Sequence, residues 1–568
     1  MLDVVGRSQR GRVCDFKRGE LSVRTPVVLR SYDSASTDPM HVSHSEARRS
    51  INVMGSDILL DTELLTSVSS GRITEPVCKD GVCVLRLPVT GEELIPDDVE
   101  MIVVPNAYEL RKDPRKLVDS VIKIRTLAGY NRLVCMLGIA EPSTIALLTY
   151  MGVDVFDDSL VRAAGLRGVS LIPEGEIAVG TDVSEENCKE LATECNKVIT
   201  FTMAERLREL VDQRAPSSPS SVAILRLFDR VGYEYQEEAC STVGCRFACN
   251  TTQALRRPDI QCYKNKITER YTKPIHKRVL LLLPCSAKKP YHTSKTHKAF
   301  SMAIHTTDKD SLVHEVIVTS PLGIVPRELD VFYPANSYDI PVTGEWKPEE
   351  KETIRAMVGN LIAQGGYDKV ISHLGEDTEL IRDLAEMEET VIGDSTSPAS
   401  LQKLDETLRA AIKEMKLVDP YIERRETVRS VLAFQFGKEA ADLLMNENAY
   451  VLGKFPYWKI IWENPENRKE KIQLGMLTPE RGMVSLTMDG AEFLAKADMF
   501  TVEMTDFEMK GNLFAIGVVK ADPRIRIGDE AIIVLNGKVK AVGVAMMSGV
   551  EMIELKRGIA VKVRHKSK

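Results

Sequence analysis

The chemistry-bearing side chains of this 568-residue chain crowd into one block, Pro284-Cys285-Ser286-Ala287-Lys288-Lys289-Pro290-Tyr291-His292-Thr293-Ser294-Lys295-Thr296-His297. The block follows the apolar run RVLLLL at 278–283, which reads as a buried strand. Ligands of open α/β sheets bind beyond the carboxyl ends of their strands, and Cys285 stands at such an end. A thiol attacks as its thiolate, and neighbouring lysines and histidines lower its pKa from about 8.5. The plain alternative is a small buried cysteine with solvated lysines beside it. The crowding of polar groups favours a nucleophile, with Lys289 and His297 suited to proton transfer and Tyr291 and Ser294 to hydrogen-bonding a developing charge. Ser286 adjoins the thiol as a substrate contact.

Other strand ends in the same series carry polar groups too. The run EVIVTS from Glu315 leads through Ser320 into Pro321-Leu322-Gly323-Ile324-Val325-Pro326-Arg327-Glu328-Leu329. The run KVISHL from Lys369 sets His373 ahead of Gly375, Glu376 and Asp377. A loop over 333–344 holds Asp339 among prolines that limit its freedom, as the wall of a pocket requires. Ser320, Arg327, Glu328, Asp339, His373 and Glu376 are therefore candidate substrate contacts, and Glu376 or Asp377 suits an ammonium group. An ordinary turn or cap is the plain alternative for each.

These residues need a scaffold, and the hydrophobic periodicity supplies one. Strands alternating with long helical patterns at 348–364 and 399–415 predict a parallel-sheet α/β catalytic domain over 276–418. A similar alternation of strands and helices up to Gln213 predicts parallel βα units in a first domain, 1–213. The Pro/Ser-rich stretch 214–221 reads as a linker. A connecting segment (222–275) and a small mixed domain (421–494) complete the middle of the chain. Over 495–568, short Val/Ile-rich runs separated by Asp-Pro, Gly-Asp and Asn-Gly-Lys turns predict a small β-barrel.

Composition narrows the class. At 43% hydrophobic and 28% charged the chain is that of a globular protein, and a net charge of -7 excludes a uniformly basic coat but not a local basic patch. The apolar run at 279–284 is far below the roughly 20 residues a membrane span needs, and the first twenty residues lack a secretory core. Eleven scattered cysteines, an odd number, fit reduced cytosolic thiols better than a disulfide framework, so no membrane and a cytoplasmic location are expected.

Three blocks in order, PCSAKKPYHTSKTH, TSPLGIVPREL and YDIPVTGEW, resemble the diagnostic core of archaeosine synthases, a family paralogous to archaeal tRNA-guanine transglycosylases. The resemblance extends to both flanks and covers most of the chain. Gly138-Ile139-Ala140-Glu141-Pro142, followed by Met151-Gly152-Val153-Asp154-Val155-Phe156-Asp157-Asp158, resembles a transglycosylase segment in which Asp157 takes the place of the nucleophilic aspartate. The strand that should end in a second essential aspartate instead reads VVPNAYEL at 103–110. The first domain is also short for a full barrel of about 250 residues. The resemblance thus implies a reduced TIM-barrel-like N-terminal domain in which Asp157 is a base contact. Transglycosylases hold a structural zinc, and Cys240, Cys245, Cys249 and Cys262 lie in the corresponding region at wider spacing, so a structural zinc stays open beside free thiols. No other cofactor is expected.

Lys520-Ala521-Asp522-Pro523, Ile527-Gly528-Asp529-Glu530 and Gly543-Val544-Ala545 resemble a PUA domain, a barrel that recurs in RNA-modifying enzymes. Its tail brings Lys556, Arg557, Lys562 and Arg564, with Lys566 and Lys568, into a local phosphate-binding patch. The resemblance as a whole implies an α/β multidomain transferase that modifies tRNA. It would add an amine from an amino acid, lysine or glutamine, to the nitrile of 7-cyano-7-deazaguanine at position fifteen in the D-arm of tRNA. The product is an amidine on the route to archaeosine, and no ATP is consumed, because an amine adding to a nitrile is not a condensation. Implied partners are tRNA, the free amino acid and a radical-SAM enzyme, with a homodimer left open. The competing classes are a non-catalytic tRNA-binding subunit and a true transglycosylase.

Overall fold

A computed structural model describes residues 2–32, 38–45, 48–53, 56–59, 75–341 and 345–567. Of the sequence features above, Val342-Thr343-Gly344 of the YDIPVTGEW block and Lys568 lie outside the described residues.

In the first domain six neighbouring parallel strands form the middle of a nine-stranded sheet whose flanking strands run antiparallel. The sheet is curled. Arg49, on strand Arg48–Val53, donates to the Pro105 carbonyl at 3.1 Å, just past strand Met101–Val104, five strands away in the sheet order. In a flat sheet that separation is about 24 Å, at about 4.8 Å per strand. The barrel-like form expected of this domain is present, with Val42, Ile51, Val84, Val103, Cys135 and Val155 packed in one core on a single face. Helix Pro114–Ala128 covers the other face; it begins where Asp113 accepts from the Lys116 backbone at 3.1 Å and ends at Gly129, whose φ of 60° a side chain would strain.

The stretch expected as a linker belongs to this domain. Ser218 caps helix Pro219–Val231 and Pro219 occupies its first turn, while Ile224, Leu225 and Phe228 enter the first domain's core. Serine followed by proline marks a helix start as well as a loop, and the apolar spacing behind it decides between them.

One cysteine pair also departs from expectation. Cys78 and Cys83 face each other in register across two short antiparallel strands and form a disulfide, because the tight turn between them sets both side chains on one face. The other nine cysteines are free thiols.

The central domain holds a five-stranded sheet in which Val313–Thr319, Val279–Pro284, Lys369–Ser372 and Glu388–Glu389 run parallel and Gly323–Pro326 returns antiparallel at one edge. Strand Val279–Pro284 is apolar throughout because both its faces are covered. Val279, Leu281 and Leu283 meet helices Lys295–His305 and Pro398–Ile412, whereas Leu280 and Leu282 join the core on the opposite side. Next come helices Pro420–Phe436 and Lys438–Leu444 and a four-stranded antiparallel sheet. The last domain is a six-stranded mixed sheet.

Polar contacts fasten this last domain in place. Glu530, fully buried, receives Arg564 at 2.9 Å, Arg481 at 3.4 Å and the Leu486 backbone at 2.8 Å, joining it to the small domain. Toward the first domain, Arg7 meets Glu551 at 2.9 Å and the Tyr130 backbone meets Glu554 at 2.6 Å. Arg526 meets Glu237 of the connecting segment at 2.7 Å. Among the described residues no helix is long and apolar enough to cross a membrane.

Candidate active site

Strand Val279–Pro284 ends at the middle of its sheet, between Val313–Thr319 and Lys369–Ser372, so Cys285 emerges at a carboxyl edge with a neighbour strand on either side. Burial pushes its thiol above the ordinary value, against a hydrogen bond with Thr319 and the charge of Lys289; Asp377 adds to the rise. The expected lowering is therefore reversed, since desolvation outweighs the nearby cation. Lys289 is displaced the opposite way, downward, by burial, with Cys285 opposing. Its ammonium lies 4.1 Å from the centre of the Tyr338 ring and 5.7 Å from that of Tyr291. Thiol and amine are thus both driven toward their neutral forms, which leaves them suited to exchange a proton.

Behind them lies a closed set of hydroxyls. Tyr291 and Tyr338 hydrogen-bond each other, and Thr319 meets Tyr338 at 2.6 Å and Tyr291 at 3.3 Å. Both tyrosines are buried, so this set fixes the Thr319 hydroxyl at the thiol. The turn carrying Tyr291 is clamped by Asp330, which receives the Tyr291 backbone at 2.6 Å, the His292 backbone at 2.7 Å and the His292 ring at 2.8 Å. Strand Tyr338–Asp339 pairs in parallel with Phe247–Ala248, which draws the connecting segment onto the site. Asp339 lies close enough to Lys289 to favour its charged form and is held by Arg246 at 2.7 Å.

The remaining candidates occupy other places. Ser294 caps helix Lys295–His305, accepting from the His297 backbone at 3.1 Å. His297 is buried and its pKa falls to about 3, through burial first and the Arg327 charge second. Its Nδ1 accepts from Arg327 at 2.9 Å, so it is a neutral prop and not the proton carrier expected. Arg327 also reaches Glu315 at 2.9 Å and Asp330 at 3.4 Å. Glu328 lies at the amino end of the strands, beside His314 and accepting from Tyr271 at 2.7 Å, away from the thiol edge. The short antiparallel return of Gly323–Pro326 carries it there.

His373 is pinned between the Thr390 hydroxyl at 2.7 Å and the Ser395 carbonyl at 2.8 Å. Ser286 closes its own turn onto the Lys288 carbonyl at 3.1 Å. Ser320 donates to Glu350 at 2.5 Å. Glu376 is exposed, and its neighbour Asp377 is the carboxylate whose charge reaches the thiol. The site therefore unites Cys285, Lys289 and Tyr291 with Thr319 and Tyr338. Thr319 ends its strand and Tyr338 lies in the loop before Asp339, but no local spacing marks either as part of the site, and Asp330 has no local signal.

Comparison with known proteins follows from this geometry. Residues 260–408 match a family model described as a domain of unknown function, and 502–566 match the PUA domain. The archaeosine synthase subunit alpha of Thermoplasma acidophilum is 34% identical over 83% of this chain and 89% of its own length. The chain belongs to the archaeosine synthase family. The subunit alpha of Methanosarcina acetivorans is 32% identical over 83% of this chain and 80% of its own. A tRNA-guanine(15) transglycosylase of Methanothermobacter thermautotrophicus is 24% identical over 96% and 84% of the two chains.

In this member of the family, Asp157 is fully buried, receiving Arg49 at 3.2 Å, the Gly138 backbone at 2.6 Å and the Ser159 hydroxyl at 2.5 Å. It locks a strand end of the curled sheet and, in this conformation, presents nothing to a base. The four cysteines considered for zinc do not converge; among the described residues no three histidines, cysteines or carboxylates gather as metal ligands. Cys240 bonds Gln9 at 3.3 Å and Cys245 is exposed. On the PUA domain Lys556, Arg557 and Lys562 are exposed, whereas Arg564 is spent on Glu530. The basic patch is thus smaller than the tail's composition implied.

Proposed function

We propose that this protein is an archaeosine synthase, a tRNA-modifying enzyme that adds an amine from an amino acid, lysine or glutamine, to the nitrile of 7-cyano-7-deazaguanine in tRNA. The observation that carries this reading is the Cys285 thiol at the carboxyl edge of the central strand, where the Lys289 charge and the Thr319 hydroxyl both favour its thiolate, in a chain of this family. Lys289, its pKa lowered by burial, takes the thiol proton, and the sulfur bonds to the nitrile carbon. The nitrile nitrogen accepts the proton, which gives a thioimide. The donor amine then adds to that carbon, the carbon–sulfur bond breaks, and the thiol regains a proton as the amidine forms. Every atom of nitrile and amine remains in the product, so no ATP is needed.

The PUA domain, with exposed Lys556, Arg557 and Lys562, supplies sequence-independent contacts to tRNA phosphates. Relatives carry the name subunit alpha, which fits a separate partner that completes the conversion; a radical-SAM enzyme cleaving an amino-acid adduct is the partner proposed.

Mass spectrometry of nucleosides from cyano-modified tRNA, incubated with the protein and lysine or glutamine without ATP, tests the reading. A mass gain equal to the whole donor is expected with lysine, or equal to ammonia with glutamine, whose side-chain amide is then hydrolysed by water to release glutamate. Cys285→Ala at saturating tRNA should lose about 1,000-fold or more in rate. A large residual rate would remove the covalent route, and no change of the nitrile with wild-type protein would remove the function.

A further inference from the structure

Thr319 has a second surface that the steps above do not use. With Ser320 it forms part of the wall of a cavity of about 430 Å³, enclosed by helix Pro219–Val231 of the first domain, helix Pro258–Glu269 and the start of helix Pro348–Ala363. That volume suits a small molecule and is too small for a folded nucleic acid.

Lys264, Arg256 and Arg230 supply the cations of the lining, and Glu349, Glu350, Glu352 and Asp229 its carboxylates; Asp229 is taken by Arg208 at 2.8 and 2.6 Å. Arg256 and Glu349 approach only to 3.8 Å across the mouth, with about half of each side chain in solvent, so solvent screens that pair and leaves both groups open to a ligand. Glu350 is not available, since its oxygens receive Ser320 at 2.5 Å and the Lys347 backbone at 2.8 Å. Lys264 is the unusual member. Burial lowers its pKa to about 8, Arg256 adding to the effect, and among the described residues no carboxylate lies against its ammonium. A partly buried cation with no carboxylate against it is stabilised by an arriving anion. A phosphate group would meet the lysine but would also face the carboxylates of Glu349 and Glu352. A molecule carrying one carboxylate and one ammonium satisfies both signs of charge.

We propose that this cavity is the donor subsite, binding an α-amino acid as its zwitterion. The carboxylate rests on Lys264 and Arg256, the α-ammonium on Glu349 and Glu352, and the side chain runs past Ser320 and Thr319 toward Cys285. The inference rests on the proposed amine transfer and adds the place from which the amine arrives.

The test uses the full-length protein with cyano-modified tRNA at saturation and L-lysine or L-glutamine varied. Lys264→Met should raise the donor KM by about 10- to 100-fold, as expected for loss of a charged hydrogen bond, and leave the KM for tRNA unchanged. Lys264→Arg should recover part of the loss. Glu352→Lys, a surface change, should raise the donor KM as well, and it decides the matter if Lys264→Met does not fold. Unchanged donor KM in the folded variants, with an active wild type, overturns the subsite and leaves the amine transfer standing. An inactive wild type with either donor overturns both.

Discussion

Burial sets the Cys285 thiol above its ordinary value, and two charges of opposite sign modulate it, each removable separately. Asp377 helps hold the thiol pKa up and Lys289 helps hold it down. The reacting form is the thiolate, so the rate climbs as pH rises through the thiol pKa. Asp377→Asn should move the kcat/KM profile to lower pH and Lys289→Ala to higher pH, each by about half a pH unit or more. Lys289→Ala should lower the plateau too, because the proton acceptor is gone. Shifts in the same direction would show that local charge does not control the thiol. At this scale the sequence revealed Cys285, Lys289 and Tyr291 because they are contiguous. Thr319, Tyr338 and Lys264 reach the site only through tertiary packing, which linear spacing does not encode. Ser294 illustrates the opposite error: a serine three residues before His297, at a helix start, satisfies backbone donors, and its type alone suggested chemistry.

At the scale of elements, one arginine separates structural from binding roles in the C-terminal strand Ile559–Lys566. A bulge in this strand, where Val563 faces Gly543 and His565 faces Val542, leaves Arg564 as the extra residue, and Arg564 meets buried Glu530 with two nitrogens and the Leu486 carbonyl at 2.7 Å. Removing one partner of such a pair leaves a buried charge and costs about 3–5 kcal/mol. Glu530→Ala should therefore lower the melting temperature by several degrees, and Arg564→Ala should do so as well, before any effect on RNA affinity is considered. A melting curve that matches wild type for both would contradict the joint. The strands and most helices were legible from periodicity, as was the small final barrel. The start of helix Pro219–Val231 was not, since serine and proline serve loops and helix N-termini alike. The curl of the first sheet, marked by Arg49 reaching across five strands, was implied by the family resemblance and not by periodicity.

At the scale of the whole molecule, a net charge of -7 coexists with exposed cations on the C-terminal domain, Lys556, Arg557 and Lys562. Replacing Lys556, Arg557 and Lys562 together by Ala should weaken tRNA binding and reduce the slope of log affinity against log salt by up to about three, with the melting temperature unchanged. A salt slope equal to that of wild type would place the RNA contacts elsewhere. The fastening of that domain has a further meaning. Arg7 to Glu551 and Tyr130 to Glu554 tie it to the first domain and Arg526 to Glu237 to the connecting segment, while Glu530 ties it to the small domain next to the catalytic sheet. Braced from two directions, it cannot swing freely. On the proposed function, a tRNA held by its lysines would meet the sulfur at one set reach, so that the protein would work as a pair of calipers, choosing the nucleotide by span along the RNA.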